Sequence, residues 1–101
     1  MKKYVVIGNP IEHSLSPKLH NFWIKSNNIK AVYEKEKIME NELKNVIDRL
    51  RNNKLNGINV TVPYKAEIIN YIDELTDESK YTQSVNTIFQ RNDKIVGHNT
   101  D

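Results

Sequence analysis

Ser14, Ser16, Thr61, Lys65, Asn86 and Asp101 are the side chains whose types and spacing could do chemistry in this sequence. Ser14 and Ser16 lie at a predicted helix start, Ser16-Pro17. The free N–H groups of a first helical turn, together with the helix dipole, favour an anion at such a place. The hydroxyl of Thr61 and the carboxamide of Asn86 each donate and accept, which suits the hydroxyls of a ligand. Lys65 and Asp101 supply one cation and one carboxylate able to exchange a proton. As a set these groups suit a small polyhydroxylated carboxylic acid. Each also has an ordinary use: Ser14 as a loop serine, Ser16 as an N-cap, Thr61 as a strand former, Lys65 as a solvated lysine in a first helical turn, Asn86 as a turn residue, Asp101 as a chain end. Only convergence would make them a site, and convergence depends on the elements that carry them.

Tyr4 to Ile7 is a continuous apolar run ending at Gly8, which reads as a strand buried on both faces. Asn9-Pro10 breaks it. Ser16-Pro17 starts a helix whose apolar face is Leu19, Phe22 and Trp23, and Asn27-Asn28 ends it. Ala31 to Lys37 alternates as a strand near a sheet edge. Asn41 caps a second helix with Leu43, Val46, Ile47 and Leu50 at i, i+3, i+4 and i+7. Gly57 to Val62 is a β-branched strand stopped by Pro63. A third helix is predicted from about Lys65 through Ile68, Ile69 and Ile72, and Thr76 caps a short fourth. Thr87 to Gln90, the turn Asn92-Asp93, and Lys94 to His98 read as a hairpin. This order predicts an α/β fold: a three-layer α/β/α arrangement with a mainly parallel sheet of about five to six strands, ending in a hairpin with one antiparallel strand.

In open α/β sheets, ligands sit outside the carboxyl ends of the strands. The first strand would deliver Asn9 to Ser16 there, the third Thr61 and Lys65, and the last, if parallel to these, Asn99 to Asp101. Its hairpin partner runs the other way, so Ser84 to Asn86 begin at the same rim. A two-residue turn at Asn92-Asp93 would set Asn86 opposite Asn99 and close to Asp101.

Composition excludes several other classes. The chain has 101 residues, 38% hydrophobic and 28% charged, which fits one globular domain. Its net charge of +2 is spread without a basic stripe, so no nucleic-acid partner is expected. It contains no cysteine, which removes disulfides, thiolate nucleophiles and Cys-based metal sites. His13, His20 and His98 lack metal-ligand spacing, so no metal site is expected. The first apolar run is too short for a signal-peptide core or a membrane span. No membrane partner is expected, and the glycosylation sequon Asn59-Val60-Thr61 is read as chance. The three glycines, Gly8, Gly57 and Gly97, form no G-x-G-x-x-G, so the dinucleotide fingerprint is absent.

Four motifs carry a family resemblance. Gly8-Asn9-Pro10 with His13-Ser14-Leu15-Ser16-Pro17 and His20-Asn21 resembles the opening of shikimate dehydrogenases. Asn59-Val60-Thr61-Val62-Pro63-Tyr64-Lys65 resembles the second motif of that family, and Ser84-Val85-Asn86-Thr87 and Gly97-His98-Asn99-Thr100-Asp101 the third and fourth. They occur in family order and span nearly the whole chain. Glu12 and Ser84 depart from the usual small residue and alanine.

The resemblance implies that Ser14 and Ser16 hold the substrate carboxylate and that Thr61, Asn86 and Asp101 contact ring hydroxyls. It implies Lys65 as catalytic acid/base with Asp101 its partner, the two acting as one coupled proton store. It places Asp77 on the cofactor side. Residues 1–101 would be the shikimate-binding domain of a cytoplasmic, NADP-dependent enzyme reducing 3-dehydroshikimate to shikimate, with a homodimeric parent. The NADP-binding domain would lie beyond Asp101, so the chain alone should be inactive. Two alternatives stay open: a quinate/shikimate dehydrogenase relative, and a free-standing, non-catalytic α/β binding module.

Overall fold

A computed structural model describes residues 2–11, 21, 25 and 30–100. Ser14, Ser16, Asp101 and most of the predicted first helix lie outside the described residues, although Asn21 and Lys25 within that helix are helical.

The apolar run does form a strand covered on both faces. In β1 (Lys2–Gly8), Val5 and Ile7 enter the main core, whereas Val6 joins Ile11 and Tyr33 on the opposite face. β1 pairs in parallel with β2 (Ala31–Lys37) and β3 (Gly57–Val60). β5 (Thr87–Arg91) runs antiparallel to β3 and to β6 (Lys94–His98), and β6 pairs in parallel with the two-residue β4 (Glu74–Leu75). The sheet has six strands in the order β2-β1-β3-β5-β6-β4, and only β5 opposes the rest. The fold is α/β, with a mainly parallel sheet and an antiparallel hairpin, as the alternation of elements predicts.

β2 is the edge strand expected. Its exposed backbone is not left bare at Tyr33, where the Asn21 carboxamide accepts the N–H at 2.8 Å and donates to the carbonyl at 2.6 Å. The side-chain amide thus pairs with the edge as a further strand would. The hairpin turn is the two residues predicted: Asn92 and Asp93 have φ of 52° and 64°, the left-handed pair that matches the twist of the strands.

The elements depart from expectation in four places. α1 (Leu43–Arg51) buries Leu43, Val46, Ile47 and Leu50 as its period predicts, but Asn41 does not cap it. Asn41 lies inside a 3-10 turn, Glu40–Glu42, and the chain entry is instead tied by Met39 N–H donating to Glu42 Oε1 at 2.7 Å. The predicted third helix is only a 3-10 run, Glu67–Tyr71, after which Ile72 is extended. Ile68 fills the core, but Asp73 breaks away to donate its N–H to Ile95 O at 2.9 Å, and β4 follows. Sheet pairing with β6 therefore overrides the helical period of Ile68, Ile69 and Ile72. The missed strand β4 is too short to show any period. The predicted third strand ends two residues early, at Val60. The short fourth helix is present as α2 (Asp77–Thr82).

Asp73 ties three elements together. It accepts the Ile95 N–H at 2.8 Å and both terminal nitrogens of Arg51, from α1, at 2.9 and 3.4 Å. The Arg51 hydrogen bond first, and then the Ile95 amide, hold the carboxyl below its ordinary value. Such a group stabilises the fold above its unfolded pKa, and that contribution disappears as pH falls through the folded value. Asp73→Asn is expected to lower the thermal midpoint slightly at neutral pH, as befits an exposed pair. The gap from wild type should close as pH drops below the ordinary carboxyl range. Melting curves taken across pH check this, and a gap that persists unchanged into acid would count against the ionic role.

Candidate active site

β1 and β3 end side by side and hold the loops that follow them. Thr61 N–H donates to Ile7 O at 2.9 Å, and Asn9 N–H donates to Val62 O at 3.0 Å. A Cβ on Gly8 would stand 2.5 Å from Thr61 Cγ2 and 2.9 Å from Val62 O, closer than real atoms approach. Glycine at position 8 is therefore what lets Thr61 sit against the end of β1.

Lys65 stands in the turn before the 3-10 run and not in the first helical turn predicted for it. The loop that presents it is anchored by Tyr64. That ring is buried, and its hydroxyl donates to Ile38 O at 2.9 Å. Lys65 O in turn accepts Val85 N–H at 2.8 Å, and Val85 is fully buried. One residue further on, Asn86 O accepts Val60 N–H at 2.9 Å. Thr61, Lys65 and Asn86 are thus brought together by main-chain bonds that lie at, or one residue from, each of them.

The predicted hairpin register also holds. Thr87 pairs with His98, so Asn86 lies opposite Asn99, and Asn86 N–H donates to His98 O at 3.0 Å. The Asn86 side chain reaches past it to the next residue. Its Nδ2 donates to Thr100 Oγ1 at 2.9 Å, and its Oδ1 accepts Thr100 N–H at 3.2 Å and Thr87 Oγ1–H at 2.9 Å. The chain leading to Asp101 is therefore fastened to Asn86. Asn99 turns away, donating to Thr82 Oγ1 at 2.9 Å.

The His98 side chain and Asp77 lie apart from this cluster. The His98 ring lies 2.7 Å from Thr76 Oγ1 and 3.9 Å from Glu78 Oε2, so it forms wall against α2. Asp77 is exposed in the first turn of α2, after β4, on the far side of β6 from Asn86. Among the described residues no cluster of His, Asp and Glu could hold a metal ion, and no helix is long and apolar enough to cross a membrane.

Asn59 and Tyr33 are not among the residues that the sequence motifs single out for a role. Asn59 Nδ2 donates to Asn86 O at 3.2 Å and to Thr87 Oγ1 at 3.3 Å, and the Tyr33 hydroxyl donates to Asn59 Oδ1. A signal for Asn59 existed. It is the polar residue between buried Ile58 and Val60, so the period of two sends it to the face opposite theirs. Tyr33 had none, since it shares parity with Lys35 and Lys37 yet is only 4% exposed. Burial pushes its phenol up to about 12, so it stays a neutral donor.

A rim with one lysine, one threonine and one tightly held carboxamide suits binding and proton transfer on a hydroxylated acid. Comparison with known proteins bears on the family and the fold. The family model described as "Shikimate dehydrogenase substrate binding domain" matches residues 6–88. The NADP(+) shikimate dehydrogenase of Pelagibacter ubique is 53% identical over 100 residues, covering 99% of this chain and 38% of that protein. The Bacillus subtilis enzyme of the same name is 44% identical over 100% of this chain and 36% of its own length. Among solved structures, Listeria monocytogenes shikimate 5-dehydrogenase, in complex with shikimate and NAD, superposes with a TM-score of 0.93 at 34% identity over 100% of this chain and 35% of that one. Shikimate dehydrogenase from Aquifex aeolicus gives 0.91 at 42% identity, over 99% and 38%. The chain spans little more than a third of the length of these relatives. With the rim geometry, the four ordered motifs and the matched model in agreement, the chain belongs to the family of shikimate dehydrogenase substrate-binding domains.

Proposed function

We propose that this chain is the substrate-binding domain of a cytoplasmic, NADP-dependent shikimate dehydrogenase, which interconverts 3-dehydroshikimate and shikimate. The observation that carries the reading is the main-chain latching of Thr61, Lys65 and Asn86 at one rim. Thr61, Asn86 and Asp101 bind ring hydroxyls, and Ser14 and Ser16 bind the carboxylate. Reduction of the ketone generates an alkoxide oxygen. Lys65 donates the proton to it, and its charge stabilises the oxyanion beforehand. Asp101 shares that proton.

The glycines of this chain, all of them described, do not fit a dinucleotide. Gly8 is closed off by Thr61, Gly57 by Tyr4 and Gly97 by Val85, and none belongs to a phosphate-binding G-x-G-x-x-G. The proposal therefore assigns NADP to a second domain; the family resemblance adds Asp77 on the side of that domain and a homodimeric parent. Reading the coding sequence past Asp101 and assaying the product of the full frame tests this. NADP-dependent oxidation of shikimate is expected from that protein and not from the 101 residues alone. A stop codon at that point, or a full-frame product without turnover, would favour the non-catalytic binding module. Preference for quinate would favour the quinate/shikimate relative.

A further inference from the structure

We propose that Tyr33 is a positioning residue that, through Asn59 and Thr87, holds the Asn86 side chain in place at the rim, in the hydrogen-bonding polarity that Thr100 N–H sets. The inference deepens the functional reading above and rests on Asn86 meeting the substrate.

Tyr33 lies on the edge strand β2, two strands from β3, with Asn59 and Thr87 between it and the Asn86 side chain. Its hydroxyl crosses β1 to meet Asn59 Oδ1. The orientation of the Asn59 amide is settled at its other end. Asn86 O can only accept, so the group facing it at 3.2 Å must be Nδ2. Oδ1 then faces Tyr33, and Tyr33 must donate. A flipped Asn59 would set two acceptors against each other at Asn86 O. The same Nδ2 donates to Thr87 Oγ1 at 3.3 Å. A hydroxyl that accepts there still has one proton to give, and it goes to Asn86 Oδ1 at 2.9 Å. With Oδ1 committed to Thr87 and to Thr100 N–H, Asn86 presents Nδ2 outward. One of its two hydrogens serves Thr100 Oγ1, and the other is available to a ligand oxygen.

The arrangement is directional from end to end: each member donates toward the next, or is left with a single way to do so. The burial that keeps the Tyr33 phenol protonated keeps the first donor in place across ordinary pH. Such a chain holds its members in one polarity more firmly than separate pairs would.

The test uses the protein expressed from its full reading frame, with two variants, Tyr33→Phe and Thr87→Val, and their combination. Side-chain amide signals of Asn59 and Asn86 are read by NMR without ligand, and kcat and KM for shikimate are measured beside them. Tyr33→Phe should move the Asn86 amide signals, although two side chains separate Asn86 from Tyr33, and leave Gln83 and Gln90 in place. It should raise KM by about tenfold, the effect of roughly one hydrogen bond, with kcat nearly unchanged. The double variant should shift Asn86 no further than Thr87→Val alone. Asn86 signals that ignore Tyr33→Phe, or effects that simply add, would overturn the relay. If Tyr33→Phe does not fold, Thr87→Val is read at Asn59 instead, and unmoved Asn59 signals would overturn it. A wild type that fails to turn over shikimate sinks the functional reading alone, and the amide signals still decide the relay.

Discussion

Lys65→Ala, in the protein expressed from its full reading frame, is expected to lower kcat for shikimate oxidation by about 10²–10⁴-fold, the range for losing a general acid/base. KM should stay within a few-fold of wild type. The split follows from where the lysine acts. Its proton and charge are needed when the oxygen becomes an alkoxide, so its removal costs transition-state stabilisation above all. Thr61 and Asn86, which hold the hydroxyls in this reading, keep their own main-chain supports when the side chain of Lys65 is cut back, because Val85 N–H binds the carbonyl of Lys65 and not its amine. Alanine preserves that bond. Steady-state kinetics check the prediction, and a turnover near wild type would remove Lys65 from the chemistry.

Ile88→Ala should be the most damaging truncation to stability, at about 2–5 kcal/mol. Ile88 is fully buried in β5, between Ile58 of β3 and Gly97 of β6. Gly97 has no side chain to move into the space, and Ile58 is held in the strand beside it. A cavity there collapses poorly, and poor collapse is what makes such substitutions expensive. The loss is a large share of the roughly 5–15 kcal/mol that stabilises an ordinary domain. It also falls on the strand that follows Asn86, so ligand binding should weaken at temperatures where the variant begins to open. Urea denaturation should show a lower midpoint with an unchanged slope. Ile88→Val, which leaves most of the volume filled, should lose only about 0.5–1.5 kcal/mol. Equal midpoints for wild type and Ile88→Ala would show that β5 is not the keystone its position suggests.

Much of the fold was legible because local rules and tertiary packing agree. The run Tyr4 to Ile7 has no polar face, so only a strand covered on both sides could accommodate it. Leu43, Val46, Ile47 and Leu50 recur at helical spacing and are buried together. Asn92-Asp93 admits the left-handed turn that sets the hairpin register, and that register alone carries Asn86 to the rim opposite Asn99. The grouping of Thr61, Lys65 and Asn86 at one rim accordingly follows from strand direction and turn type, both of which the sequence displays.

What stayed hidden was decided by contacts distant in the chain. Residues 67–71 carry the isoleucines of a helix, yet the unpaired edge of β6 draws the next residues into β4, since a strand with free N–H and C=O groups gains more from pairing than a short helix gains from propensity. Tyr33 reads as solvent-facing by parity with two lysines, but it is buried and reaches over β1 to Asn59. The type and order of most elements, the hairpin register and the principal chemical groups are local properties of this chain, written in its periods and turns. The path of Glu67 to Leu75, the closeness of Gly8 to Thr61 and the relay from Tyr33 to Asn86 exist only once the sheet has formed, because each joins residues that no local pattern connects.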